Sequence, residues 1–373
     1  MSIDIREVKT NADLRKFIYL PAKIHKGHSN WVPPIYDDEF NFFNKKKNKS
    51  FEYCDTILLL AYKNNVAIGR IMGIIHKKYN EIHNENNARF SFLETYEDIE
   101  IFNALLDYLE KWAKNRNCTK IVGPLGFSDK DPQGFMTEGF EEPIVISSNG
   151  NFPFMPDFMK TKNYEKEVDL VVYKIPVPNE IPPFYQAIYN RALKGKDIEI
   201  IEFNSRKQLK PFIKPILHLL NETFEGIYGF VPFEEHEMNE YANRYIYLLD
   251  PQFIKVVATP DKKPIGFIIA MPDISQGVIK TKGRLLPFGF FRIIALQKKT
   301  KQLTLLLGGI KKQFRGQGLD VILGKLTLES AIKRGFEFVD SHLELENNTN
   351  VRKEMEKMGG VVYKRYRIYQ KNI

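Results

Sequence analysis

The chain has 373 residues, 43% hydrophobic and 13% aromatic, enough apolar mass for two packed cores; 23 glycines and 20 prolines are too few to signal disorder. Its two cysteines, Cys54 and Cys118, stand alone and exclude a disulfide framework or a zinc knuckle. The net charge of +9 suits an anionic ligand such as a nucleotide-bearing cofactor, and equally suits nucleic acid or an anionic membrane surface.

In chain order, the first predicted elements are a hairpin, 56–62 and 66–75, around the turn Lys63-Asn64-Asn65. A strand at 90–94, a helix at 101–114 and a strand at 119–124 follow. After a strand at 169–175 come Pro176, Pro178, Pro182 and Pro183, a density that fits neither sheet nor helix and so marks a boundary. A helix at 184–194 leads to a strand at 198–203. A second hairpin, 253–258 with 264–271, precedes an insertion, a strand at 303–310, a helix opening at Leu319 and a strand at 336–340. Hairpin, strand, helix, strand thus occurs twice, which points to a duplicated fold. The basic clusters 45–49, 298–301 and 364–367 read as solvated surface, which argues against a nucleic-acid partner. His25 and His28 are three apart with no acidic or thiol partner near in sequence, so no metal site is expected.

The stretch Gln313-Phe314-Arg315-Gly316-Gln317-Gly318-Leu319-Asp320 lies between the apolar strand 303–310 and a helix whose Leu319, Ile322, Leu323 and Leu326 recur at helical spacing. A glycine-rich turn feeding a helix N-terminus offers unpaired N–H groups and the positive end of the helix dipole, a natural pyrophosphate cradle.

These residues resemble the GNAT (Gcn5-related N-acetyltransferase) superfamily. Arg315 and Gly318 take the first and fourth places of its Gln/Arg-x-x-Gly-x-Gly/Ala loop, and Asn348 leads a helix ending Glu356-Lys357-Met358-Gly359. The match covers roughly 198–373, and layout extends it to the first half. The resemblance implies a mixed α/β (α+β) fold of two tandem acyl-CoA N-acyltransferase-like lobes, each a mostly antiparallel sheet flanked by helices. The lobes are 1–175, without a phosphate loop, and 198–373, with a linker at 176–197. It implies acetyl-CoA or another acyl-CoA held by Gly309, Ile310, Gln313, Phe314, Arg315, Gly316, Gln317, Gly318, Leu319 and Asn348. The implied activity is acyl transfer to a small-molecule or peptide amine. Three departures stand out: Asp320 where the family has Gly or Ala, Met355 where a tyrosine acid is usual, and Gly360 where an aromatic is usual. A non-catalytic CoA-binding protein and an aminoacyl-tRNA-dependent transferase of the peptidoglycan-bridge type stay open as alternatives. The acidic run 94–98 stands where the first half would need its loop, so one cofactor site is expected.

For the chemistry, a period of two in Ser341-His342-Leu343-Glu344-Leu345-Glu346 sets His342, Glu344 and Glu346 on one face, which is either a solvated strand face or the lining of the cleft, where Glu344 or His342 would act as base directly or through a water. Tyr363 and Tyr366 are candidate acids in place of Met355, and Tyr228 and Phe230 are candidate walls for the acceptor, with core packing the other reading for Phe230. The apolar insertion 283–296, flanked by basic residues, could cover an acyl chain, touch a membrane surface, or pack between lobes. No run of about 18 apolar residues exists and the first residues lack a signal-peptide layout, so a cytoplasmic protein is expected.

Overall fold

The turn of the first hairpin forms as its sequence asks: Asn64 and Asn65 both take positive φ, 52° and 61°, the twist-matching geometry that asparagine tolerates. The computed structural model describes residues 3–195, 197–239 and 249–373. Its first half runs β1 (Asp4–Glu7), α1 (Asn11–Tyr19), α2 (Pro21–Ile24), α3 (Tyr36–Phe42), β2 (Cys54–Lys63), β3 (Val66–His76), α4 (Lys77–His83), β4 (Asn87–Thr95), α5 (Ile99–Lys114), β5 (Lys120–Gly123), β6 (Phe135–Glu138), α6 (Phe154–Thr161) and β7 (Glu165–Pro176). The second runs α7 (Pro183–Leu193), β8 (Glu199–Glu202), α8 (Arg206–Thr223), β9 (Ile254–Ala258), β10 (Pro264–Pro272), α9 (Ser275–Thr281), α10 (Gly289–Gln297), β11 (Gln302–Ile310), α11 (Leu319–Arg334), β12 (Phe338–Asp340), β13 (Glu344–Leu345), α12 (Thr349–Lys357) and β14 (Val361–Asn372).

The strands form one sheet in the order β1-β2-β3-β4-β5-β14-β7-β12-β11-β10-β9-β8. Each half repeats the same plan: antiparallel strands, then a parallel pair joined by a helix. That pair is β4 with β5, crossed by α5, and β11 with β12, crossed by α11. Helix α5 buries Ile101, Phe102, Leu105, Leu106, Leu109 and Trp112 on the sheet, one apolar stripe at helical spacing. Helix α11 does the same with Leu319, Ile322, Leu323 and Leu326 and ends at Gly335 in the left-handed region.

The last strand of each half is exchanged. Strand β7 pairs with β12 of the second half, while β14 pairs with β5 of the first. The two also pair with each other along most of their length, so the halves meet in a continuous antiparallel seam. This overturns the reading of 364–367 as solvated surface. Lys364 has a side chain 1% exposed and lies 3.3 Å from a fully buried Asp340, and Arg367 makes a two-pronged pair with Asp169 at 2.7 and 2.9 Å. Among the described residues no helix is long and apolar enough to cross a membrane.

Candidate functional site

Strands β11 and β12 run together only from Gln302 to Thr304 and from Phe338 to Asp340, and then part. Strand β11 bulges where they separate: Ile269 faces Leu307 and Ala270 faces Leu305, leaving Leu306 outside the ladder. A bulge leaves its extra residue's backbone unpaired and re-aims the strand. Past the bulge, Lys312–Phe314 makes one 3-10 turn, Gly316 and Gly318 adopt φ of 70° and 82°, and α11 begins. Its N-cap, Gly318, supplies no side-chain cap, so the first N–H groups of a sixteen-residue helix stay available at the positive end of its dipole.

Within this loop the side chains split between brace and rim. The guanidinium of Arg315 donates to the carbonyls of Ile310 at 3.0 Å and Thr223 at 3.3 Å, fixing the turn. Phe314 and Leu319 pack into the core under the helix. Gln317 donates to the Gln313 carbonyl at 2.9 Å, closing the tip. Gly309 is explained by packing, since a Cβ there would meet Thr223 Oγ1 at 2.4 Å. Asp320 is exposed and lies within electrostatic reach of Lys357, so a counter-charge accompanies it. Asn348 stands at the start of α12 with no side-chain cap bond. An apolar hollow of about 260 Å³ lies between Leu328, Met358, Tyr185 and the linker prolines. None of His342, Glu344 and Tyr363 lines it.

On the other side of the gap the chain kinks. Asp340 faces Lys174 and Glu344 faces Val171, so four steps of this strand span three of β7 and one residue is extra. His342 sits in this bulge at φ 58°, a strained conformation for a non-glycine residue, held by its own N–H donating to Asp340 Oδ1 at 2.7 Å. The bulge corrects the period-two expectation. Glu344 shares the face of Val171, toward α11 and α12, while Asp340 points to the opposite face with Lys364. His342 is held with that second group.

The electrostatics differ between the two faces. Burial alone pushes the Glu344 carboxyl up to about 8. Burial pulls the His342 imidazole down, outweighing the nearby Asp340 charge and a hydrogen bond to the Ser147 backbone. A neutral imidazole near pH 7 follows. Its Nε2 is buried without a hydrogen-bond partner, as is the neighbouring Ser147 Oγ. Buried polar atoms of this kind call for an explanation, and a polar substrate group is one. Tyr363 is the bulged residue of β14 and donates its hydroxyl proton to Asp340 Oδ2. Burial and that carboxylate raise its pKa well above the usual phenol range. The structure therefore gathers His342, Tyr363, Asp340 and Lys364, and leaves Glu344 across the sheet.

Tyr228 and Phe230 lie where the halves touch. Phe230 is buried in the core of the second half. The Tyr228 hydroxyl donates to Glu167 at 3.1 Å, and Gly229 accepts from Asp129 N–H across the seam. Sequence reading missed Tyr173, which takes a bond from Arg352 at 2.9 Å and donates to Glu356 at 2.8 Å beside Met355. It comes from the exchanged strand β7, so no local motif marks it.

The corresponding gap in the first half is filled. Leu125 N–H donates to the Phe90 carbonyl at 2.8 Å, and Arg89 reaches the carbonyls of Gly126 and Phe127 at 3.1 and 2.9 Å. The N-terminus of α5 is occupied by the chain itself, the Asp98 carboxylate accepting from Glu100 and Ile101 N–H at 3.0 and 3.4 Å. Upstream, Glu94 is held by Arg70 at 2.7 Å and His25 at 3.1 Å, and His25 stacks on Trp31.

No family model matches the chain. It is 26% identical over 377 residues to the bacterial ceramide synthase of Caulobacter vibrioides, covering 99% of this chain and 97% of that one. It is 24% identical over 378 residues to the protein YghO of Escherichia coli, covering 99% and 95%. Among solved structures it is similar to a tandem GNAT protein from the clavulanic acid biosynthesis pathway, with a TM-score of 0.58 at 10% identity over 100% and 98% of the two chains. At that identity the likeness shows the fold: two GNAT lobes in tandem.

Proposed function

We propose that this chain, built on the tandem GNAT acyltransferase fold, moves a fatty acyl group from acyl-CoA to the amine of a long-chain amino alcohol. It would use one acyl-CoA site, in its second half. The observation that carries the single site is the contrast between two equivalent helix starts. The N-terminus of α11 is uncapped behind a glycine turn, whereas that of α5 already holds the Asp98 carboxylate. The relative named ceramide synthase, similar along nearly its whole length, supports the acceptor, since a ceramide is a long-chain amino alcohol acylated on nitrogen.

In this reading the thioester lies between β11 and the His342 bulge, its pyrophosphate at residues 313–319. The amine nitrogen attacks the thioester carbonyl. Its proton passes to the unpartnered Nε2 of His342, the C–N bond forms, the C–S bond breaks, and the thiolate is reprotonated by the imidazolium or by water. Backbone freed by the Leu306 bulge would steady the oxyanion. Ser147 Oγ, buried without a partner, would receive a hydroxyl of the acceptor.

The test is release of free thiol from a fatty acyl-CoA on adding a long-chain amino alcohol, alongside a short-chain amine panel. Gln317→Glu, which adds a negative charge at the exposed loop tip, should weaken acyl-CoA binding by about three- to tenfold at low salt without lowering Tm. Measurable acyl-CoA binding with no thiol release for any amine would leave a non-catalytic binder instead. Unchanged affinity in Gln317→Glu would move the site elsewhere. Variants at Gly318 are poorer probes, because a Cβ there would meet Ala192 Cβ at 2.8 Å whatever the ligand.

A further inference from the structure

The insertion between β10 and β11 has two unlike sides. Inward, Ile274, Val278, Leu285 and Ile293 pack against Leu306 of the β11 bulge and against Ile35 and Ile146 of the first half. The Gly283 carbonyl accepts from Tyr36 N–H at 3.0 Å, tying the insertion to both halves. Outward, Leu286, Phe288 and Phe291 are 79%, 75% and 70% exposed, more than any other large apolar side chain among the described residues. Three such side chains on one short segment are not the scattered surface apolars of an ordinary soluble face.

The charge carried by the segment itself has one sign. No Asp or Glu occurs between Asp273 and Asp320, while Lys280, Lys282, Arg284, Arg292, Lys298 and Lys299 flank the apolar trio along the chain, all exposed. We propose that the segment 280–299 docks this protein on an anionic lipid bilayer, inserting Leu286, Phe288 and Phe291 among the acyl chains with the basic ring at the phosphates. Apolar tips in a basic collar match such a surface twice, by burial and by charge. A protein partner would need acidic groups facing every one of those cations, and a second copy would bring like charges together. The underside touches the strand that bulges at the candidate catalytic gap, so docking would set the gap's mouth at the membrane, where a long-chain amine resides. Only that last consequence rests on the acyl-transfer reading.

The test uses the full-length protein and vesicles of phosphatidylcholine, with or without roughly a quarter phosphatidylglycerol. The protein should sediment with the anionic vesicles, less so at high salt. The combined variant Leu286→Glu, Phe288→Glu, Phe291→Glu should bind at least about tenfold more weakly. Val66→Glu with Ile82→Glu, two exposed apolar positions elsewhere, should bind as the parent does. The triple variant should keep its Tm and its thiol release with a short-chain amine, while losing activity on a vesicle-borne amine. Vesicle binding without thiol release from any amine would sink the acyl-transfer reading and leave docking standing. Docking is overturned if the parent ignores anionic vesicles, or if the triple variant binds like the parent. It is also overturned if gel filtration shows a parental dimer that the triple variant dissolves while neither protein binds lipid.

Discussion

His342 combines two properties that substitution can separate, backbone strain and an unpartnered base. At φ 58° a residue with a Cβ is strained by about 1–2 kcal/mol relative to glycine. Glycine carries an unfolded-state entropy penalty of roughly 0.5–1 kcal/mol, so His342→Gly should fold about as well as the parent. Both variants lose the Ser147 contact, but His342→Ala also keeps the strain, so it should be less stable than the glycine variant by about 0.5–1 kcal/mol. In a chain of this length that is a Tm difference of about 1 °C. If His342 is the base, both variants should lose roughly 10²- to 10⁴-fold in kcat/KM despite their different stabilities. The parent's acid limb should fall below the ordinary histidine value of 6.5, because burial lowers this imidazole, and both variants should lack it. Steady-state thiol release across pH, with thermal scans of the same preparations, reads all of this. An alanine variant within about threefold of the parent would refute the assignment. So would an acid limb near 8, where the Glu344 carboxyl titrates, and Glu344 would then be the base.

Other consequences follow from single contacts. His76 is buried, its Nδ1 accepts from Tyr79 N–H at 3.0 Å, and burial holds it near 3. Its native pKa lies below the unfolded value, so the stability it lends is complete above 6.5 and falls with pH below that. His76→Asn keeps a capping acceptor and should flatten the acid limb of stability by up to about 1.4 kcal/mol per pH unit between 6 and 4, read from denaturation midpoints. Asp98→Ala should cost about 1 kcal/mol by uncapping α5 and leave acyl-CoA affinity unchanged; a second bound acyl-CoA in that variant would break the one-site reading. Lys364→Met strands the buried Asp340 charge and should destabilise by roughly 3–5 kcal/mol by chemical denaturation. A change below about 1 kcal/mol would refute the stabilising role given to this buried pair.

The strand, glycine turn and helix of the proposed phosphate cradle were legible in sequence because everything that geometry needs is local: an apolar strand, two glycines at positive φ, and a helix whose stripe begins at once. The hairpins were legible for the same reason, down to the paired asparagines. The exchange of β7 and β14 was not, because it is a choice between equivalent sheet edges some two hundred residues apart. A strand reading Val-Val-Tyr-Lys-Arg-Tyr-Arg shows charges that look solvated until the partners Asp340, Glu346 and Asp169 are seen across it. The faces of His342 and Glu344 failed in sequence for a related reason. Alternation holds only while each residue has one partner, and the extra residue opposite β7 inverts it without leaving any glycine or proline to announce the bulge. The strained residue at that inversion is the histidine whose Nε2 has no partner. Strain and an orphaned buried nitrogen each occur elsewhere in this chain, but their meeting where β11 and β12 part gives His342, rather than Glu344, the stronger claim to the chemistry.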